Sequence, residues 1–182
     1  MIQYHHHRQK LWRTSQTISI FWIKLAGFAG GFYRVKITGK RASTREAPIL
    51  VVAPHSGFLD VLACAKTGCP SVVGKKHLGF VMDNYVLMTD PVSVVDQNSA
   101  DSKKEAMNGI KRRLDLINNQ ENIDSSSCLS QIWIFPEGTC TNRTQLLQFK
   151  TGAFIPGVPV QPLCLKYPKH PDWTSWTWEG AS

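Results

Sequence analysis

Pro48-Ile-Leu-Val-Val-Ala-Pro54 is an uninterrupted apolar run closed at both ends by proline. It is too short for an ordinary helix, and its isoleucine and valines favour a pleated backbone. A strand with one wet face alternates apolar and polar residues. This run has no polar position, so both of its faces must be covered, as in a parallel sheet with helices on either side. Other segments fit that frame. Ser71-Val-Val-Gly74, Pro91-Val-Ser-Val-Val95 and Gln131-Ile-Trp-Ile-Phe135 are further strand candidates. Val158-Pro-Val-Gln-Pro-Leu-Cys-Leu165 is extended but interrupted by proline, which puts it near a sheet edge. Phe58 to Ala65 is apolar and helix-friendly, with Gly68 to end it. Ser102-Lys-Lys-Glu105 reads as a capping box, opening a helix with Met107, Ile110, Leu114 and Ile117 on one face. Lys111, Arg112 and Arg113 are expected mostly on the opposite face, and the serine-rich stretch from Asn118 to Ser130 reads as a loop. The expected fold is an α/β layered domain with a largely parallel central sheet flanked by helices, spanning residues 46–182.

Charge separates that domain from what precedes it. Residues 1–45 hold nine of the 21 Lys and Arg and no acid, the first carboxylate being Glu46. The other residues carry twelve bases against thirteen acids, so the net charge of +8 belongs to the N-terminal arm. Within the arm, Ile18 to Tyr33 is apolar and aromatic, but it contains Lys24, Gly27, Gly30 and Gly31 and falls short of the ~20 apolar residues of a spanning helix. Residues 1–45 are therefore read as a membrane-associated segment lying in the interface, with Trp12 and Trp22 at headgroup level and its basic residues against anionic lipid. The alternative is a buried core helix. Nucleic acid is not expected as a partner, because no binding module accompanies the charge. The five cysteines make an odd count with no C-x-x-C pair, which suits neither a disulfide framework nor zinc. No metal site is expected.

Two strand-to-loop junctions carry the chemistry, since ligands of open α/β sheets bind beyond the carboxyl ends of strands. In Ala53-Pro-His-Ser-Gly-Phe-Leu-Asp60, an acid follows His55 by five residues. If a helix begins near Ser56 or Gly57, Asp60 lies about one turn in and folds back toward the imidazole. A carboxylate on one ring nitrogen fixes the tautomer and leaves the other nitrogen to take a proton. This is a Ser-His-Asp arrangement lacking its serine, and the hydroxyl is expected from a substrate. Ser56 is a weaker candidate nucleophile, because no G-x-S-x-G elbow is present. In Phe135-Pro-Glu-Gly-Thr-Cys-Thr-Asn-Arg143, Gly138 beside Glu137 lets backbone N–H groups approach a ligand. Arg143 or Lys150 could hold a phosphate. Each junction also has a bland reading, a capped helix start and an ordinary polar loop.

Taken together and in this order, the junctions resemble the glycerolipid acyltransferases, the family that includes the 1-acylglycerol-3-phosphate acyltransferases. His55-Ser-Gly-Phe-Leu-Asp60 matches the H-x4-D motif, Glu137-Gly-Thr139 the E-G-T motif, and Ile155-Pro-Gly-Val-Pro-Val160 the later proline-valine motif. The run from Phe135 to Pro168 and Trp176-Thr-Trp-Glu-Gly180 resemble the lysophosphatidylcholine acyltransferase branch in particular. The resemblance implies His55 as base and Asp60 as its orienting partner. It implies contact with the acceptor glycerophospholipid by Glu137, Gly138, Thr139, Asn142, Arg143 and Lys150. Acyl-CoA would be the donor and a lysophospholipid the acceptor, with no cofactor. The implied location is a membrane, in the first place the endoplasmic reticulum, with the Golgi or lipid droplets as alternatives and the site facing the cytosol or the membrane interface.

Two departures qualify the match. Cys140 stands where the general family has an arginine directly after E-G-T, a difference shared by the lysophosphatidylcholine branch. Val94 and Val95 stand where an intermediate motif usually carries an arginine, which weakens the expected phosphate contact there. Relatives in this branch continue past the equivalent of Ser182, so the chain is expected to be a truncated form or a fragment. The rival expectations are acylation of lysophosphatidic acid, and a membrane-binding remnant without catalysis.

Overall fold

The computed structural model describes residues 17–18, 20–25, 27–29, 35–57, 59–68, 70–75, 92–95, 100–119 and 130–167. The strands are β1 (Ile49–Ala53), β2 (Ser71–Lys75), β3 (Ser93–Val95), β4 (Ile132–Ile134) and β5 (Val160–Cys164). They form one sheet in the order β3-β2-β4-β1-β5, and every pairing is parallel. The apolar run thus occupies an interior strand. Ile49 aligns with Ile132 on one side and with Val160 on the other. The proline-interrupted segment is an edge strand, as its missing donors require.

Among the described residues two helices cover the sheet, α1 (Asp60–Lys66) and α2 (Ala100–Asn118). Alternation along β1 divides its side chains between them. Ile49 and Val51 join Ile110 and Leu114 of α2, together with Ile132 and Ala153. Leu50 and Val52 point to the other face and join Cys64 of α1 and Trp133. Both faces of β1 are therefore dry, which is why the run contains no polar residue.

Three local expectations change. Helix α1 begins at Asp60 itself, not near Ser56. The Ser56 and Gly57 N–H groups and the His55 ring bond the Asp60 side chain, so this stretch stays out of the helix. Helix α2 begins two residues before the proposed capping box, which puts Ser102 inside its first turn as a buried side chain. Arg113 is buried and not on the wet face, its Nη2 donating to Ser71 Oγ at 2.7 Å. The loop read from Asn118 to Ser130 lies almost wholly outside the described residues.

The basic arm reaches into this body. Arg41 Nε donates to Gln131 Oε1 at 2.8 Å, and its Nη1 donates to the Thr67 carbonyl. Gln161 accepts from Ala42 N and donates to the Lys40 carbonyl, tying the arm to β5. Arg41 thus has a structural task beside the α1 C-terminus, where carbonyls lack helical partners. Further upstream, residues 17–18, 20–25 and 27–29 are helical. Gly27 is buried against α1, where an added Cβ would come within 2.7 Å of Leu62 Cδ2. Among the described residues no helix is long and apolar enough to cross a membrane.

Candidate active site

In a parallel sheet all strands end at the same edge. The segments following β1, β4 and β5, three adjacent strands, therefore meet there. His55 lies two residues beyond β1, and Asp60 starts α1 just after it. His55 Nδ1 is 2.6 Å from Asp60 Oδ2. The same oxygen accepts from Ser56 N at 2.9 Å and from Gly57 N at 3.3 Å. One carboxylate thereby shapes the turn and orients the ring.

The segment after β4 closes on His55 from the other side. The Phe135 ring stacks on the imidazole, with centroids 3.8 Å apart and planes 15° from parallel. His55 N donates to Glu137 Oε1 at 3.2 Å, and Thr141 N donates to the His55 carbonyl at 2.7 Å. The Cys140 side chain acts on the imidazole as well, favouring its protonated form. The ring is thus held in its plane, at its main chain and along its edge.

These contacts set its basicity. Burial works to lower the imidazole's proton affinity, but the hydrogen bond to Asp60 and the Cys140 side chain, with their charges, outweigh it and push the pKa up to about 9. The raised value also has a consequence for stability. Protonated His55 stabilises the fold fully below the ordinary value of 6.5, and that contribution is lost as pH rises toward 9.

The residues of the E-G-T loop take different positions. Glu137 is buried at 2% exposure and braces the His55 backbone, and its Oε2 has no hydrogen-bond partner among the described residues. Gly138 has φ +69°, and Lys150 lies across it, its Nζ 2.6 Å from where a Cβ would stand. That left-handed backbone favours glycine. Thr139 is exposed. Asn142 Oδ1 accepts from Thr144 N and Thr144 Oγ1, so its carbonyl is spent on its own turn. Arg143 takes a left-handed backbone at φ 62°, and its guanidinium lies 5.0 Å above the Tyr167 ring. Lys150 and Arg143 are therefore on the His55 side of the sheet. Val94 and Val95 lie in β3, at the far edge.

The hydroxyl expected from outside the chain has no internal competitor in Ser56. Its side chain is buried at 1%, and its Oγ has no hydrogen-bond partner among the described residues. Two neighbours of the dyad escape a reading of the sequence. Cys140 stands out there only as a departure from a motif. Tyr167, whose hydroxyl donates to Asp60 Oδ1 at 2.5 Å, does not stand out at all. The signal available for Tyr167 is its place just beyond the end of β5, equivalent to that of His55 beyond β1.

A base with its orienting acid at a strand end is an arrangement for removing a proton from an alcohol. Comparison with known proteins gives the same direction. The family model described as Acyltransferase matches residues 34–166, which include every residue of the dyad and of the E-G-T loop. The chain is 44% identical over 177 residues to lysophosphatidylcholine acyltransferase 2B of Rattus norvegicus, covering 95% of this chain and 32% of that protein. It is 42% identical over 173 residues to lysophosphatidylcholine acyltransferase 2 of Homo sapiens, covering 93% and 30%. The corresponding figures for lysophosphatidylcholine acyltransferase 1 of Rattus norvegicus are 42% over 154 residues, 84% and 27%. The chain thus spans about a third of the length of these relatives. No solved structure matches it. The parallel sheet, the His55/Asp60 dyad beside a Glu-Gly-Thr loop, and a family match over most of its length make this chain a member of the acyltransferase family.

Proposed function

We propose that the chain transfers a fatty acyl group from acyl-CoA to the free glycerol hydroxyl of a lysophospholipid, with lysophosphatidylcholine as the first acceptor to test. The observation that carries this reading is the 2.6 Å contact between His55 Nδ1 and Asp60 Oδ2, made where the adjacent Ser56 hydroxyl has no hydrogen-bond partner among the described residues. In this mechanism His55 takes the proton of the acceptor alcohol as its oxygen attacks the thioester carbonyl. Asp60 stabilises the imidazolium that forms. The tetrahedral intermediate collapses, the C–S bond breaks, and the coenzyme A thiolate recovers the proton from His55. No metal or prosthetic group takes part. Arg143 and Lys150 supply positive charge for an acceptor phosphate, and Glu137, Gly138, Thr139 and Asn142 form the loop beside it.

Membrane association supports access to such an acceptor. In the N-terminal helical residues, Ile18, Phe21, Trp22, Leu25 and Phe28 recur at helical spacing and all are exposed, Phe21 and Trp22 at 60%. Among the described residues of this helix Gly27 is the buried one, and it packs against Leu62 of α1. Leu146, Phe149, Phe154 and Ile155 expose more apolar surface beside Lys150. An anionic membrane, in the first place that of the endoplasmic reticulum, is the proposed location. Trp22→Glu is expected to reduce sedimentation with vesicles containing phosphatidylserine several-fold. Unchanged sedimentation would remove this helix from membrane binding.

The deciding experiment is coenzyme A release, read as free thiol, from acyl-CoA with a panel of lysophospholipids. Faster release with lysophosphatidylcholine supports the proposed acceptor, and faster release with lysophosphatidic acid replaces it. Vesicle binding with no release from any acceptor would overturn the enzymatic reading.

Cys140 offers a separate check, because a thiol beside a histidine is also the arrangement of a cysteine nucleophile. The substrate-alcohol mechanism expects Cys140→Ala to keep transferring acyl groups. Loss of the thiol also removes contacts that raise the His55 pKa, so the alkaline rise in rate should move below its parental midpoint of about 9. An inactive but folded Cys140→Ala would instead assign the attack to the thiol.

A further inference from the structure

We infer that Tyr167 is a positioning residue for this site: its hydroxyl holds Asp60 so that the acid's other oxygen aims at His55. The inference rests on the assignment of His55 as base and goes beyond the matched dyad.

Asp60 is buried at 3% exposure and has two oxygens with different tasks. Oδ2 faces His55 Nδ1 and the N–H groups of Ser56 and Gly57. Oδ1 accepts from the Tyr167 hydroxyl, 2.5 Å away. A carboxylate pivots about its Cβ–Cγ bond. A donor fixed on Oδ1 stops that pivot and sets the direction of Oδ2.

Tyr167 is itself held. It sits two residues past the point where Leu165 N donates to the Ala53 carbonyl at 2.8 Å, so the β1–β5 pairing leads directly to it. Arg143 lies over its ring at 5.0 Å, a cation against the electron-rich face. Burial and the Asp60 charge beside it raise the phenol's pKa well above the ordinary value, so Tyr167 keeps its proton and remains a donor. The result is a chain from Arg143 through Tyr167 and Asp60 to His55, assembled from the ends of β4, β5 and β1.

The arrangement also tempers the base. A carboxylate that accepts a strong hydrogen bond on one oxygen attracts an imidazolium less through the other. Other groups facing the dyad are Cys140 at the imidazole, Glu137 at the His55 main chain and Arg143 over the phenol. None of these contacts is removed by taking away the Tyr167 hydroxyl.

The test uses the full chain and two changes at position 167. Tyr167→Phe keeps the ring and its contact with Arg143 but removes the donor. It is expected to lower kcat about tenfold with KM for the acceptor little changed, and to move the alkaline midpoint of the rate upward. Site-specific 3-fluorotyrosine keeps the hydroxyl and the packing while making the phenol more acidic. It donates more strongly and should move the midpoint the opposite way. The His55 imidazole titration, followed by NMR and assigned with His55→Gln, should shift in the same two directions. That readout needs no turnover, so it stands even if lysophospholipid acylation is not the reaction. Should Tyr167→Phe fail to fold, the fluorotyrosine chain decides alone. A His55 midpoint that does not respond to either change would overturn the inference.

Discussion

His55→Ala is expected to lose acyl transfer by about 10²–10⁴-fold, the usual worth of a positioned general base. The side chain is 24% exposed and lies outside helix and strand, so the fold does not depend on filling its volume. Its loss leaves Phe135 without its stacked partner and Asp60 Oδ2 with two backbone donors. Circular dichroism should therefore stay close to the parent while thiol release disappears, and the unfolding midpoint should fall mainly at low pH, where the protonated side chain stabilises the fold. Near-parental release by a purified, folded His55→Ala chain would sink the general-base mechanism. In the parent, rate should rise with pH toward about 9, as His55 becomes free to accept a proton. Thermal stability should fall through the same window, from 6.5 upward, because the ion pair with Asp60 is being lost. Activity and stability are thus expected to move in opposite directions over one pH interval.

Asp60→Asn should be nearly as damaging to the rate and worse for the fold. The carboxylate accepts from His55 Nδ1, Ser56 N, Gly57 N and the Tyr167 hydroxyl while 3% exposed. An amide has one acceptor oxygen and brings two donors into a pocket already furnished with donors. Turned one way its NH2 meets the Ser56 and Gly57 N–H groups, and turned the other it leaves the Tyr167 O–H without its acceptor. A buried hydrogen-bonding group left unmatched costs about 1–3 kcal/mol. The imidazole also loses the acceptor that fixes its tautomer, and the comparable Asp-to-Asn replacement in a serine-protease triad lowers kcat by about 10⁴-fold. The expected outcome is a loss of at least about 10²-fold in kcat together with a lower unfolding midpoint. A stable Asp60→Asn chain with parental kcat would show that Asp60 serves only the turn.

Much of this was legible because it is local. The dry β1 run, the edge character of β5 and the buried face of α2 follow from which neighbours in sequence are apolar, and the strand and helix periods convert that directly into burial. The helix starts were less legible. At Asp60 a side chain captured the backbone N–H groups that an earlier helix start would have used, and such competition does not show in a hydrophobic pattern. Arg113 went the same way. Its charge suggested the wet face, yet a hydroxyl at the start of β2 gave it a buried partner.

The sequence by itself determined the acid-base pair, because His55 and Asp60 are five residues apart and one turn suffices to join them. It also determined that a glycine would stand beside Glu137. Only the tertiary structure decided what surrounds that pair. Glu137 meets the His55 backbone across 82 residues of chain, and Tyr167 meets Asp60 across 107. The physical reason lies in the strand order. In a parallel sheet, crossover connections separate spatial neighbours by long stretches of sequence, and only pairing β1 between β4 and β5 brings three strand ends to one place.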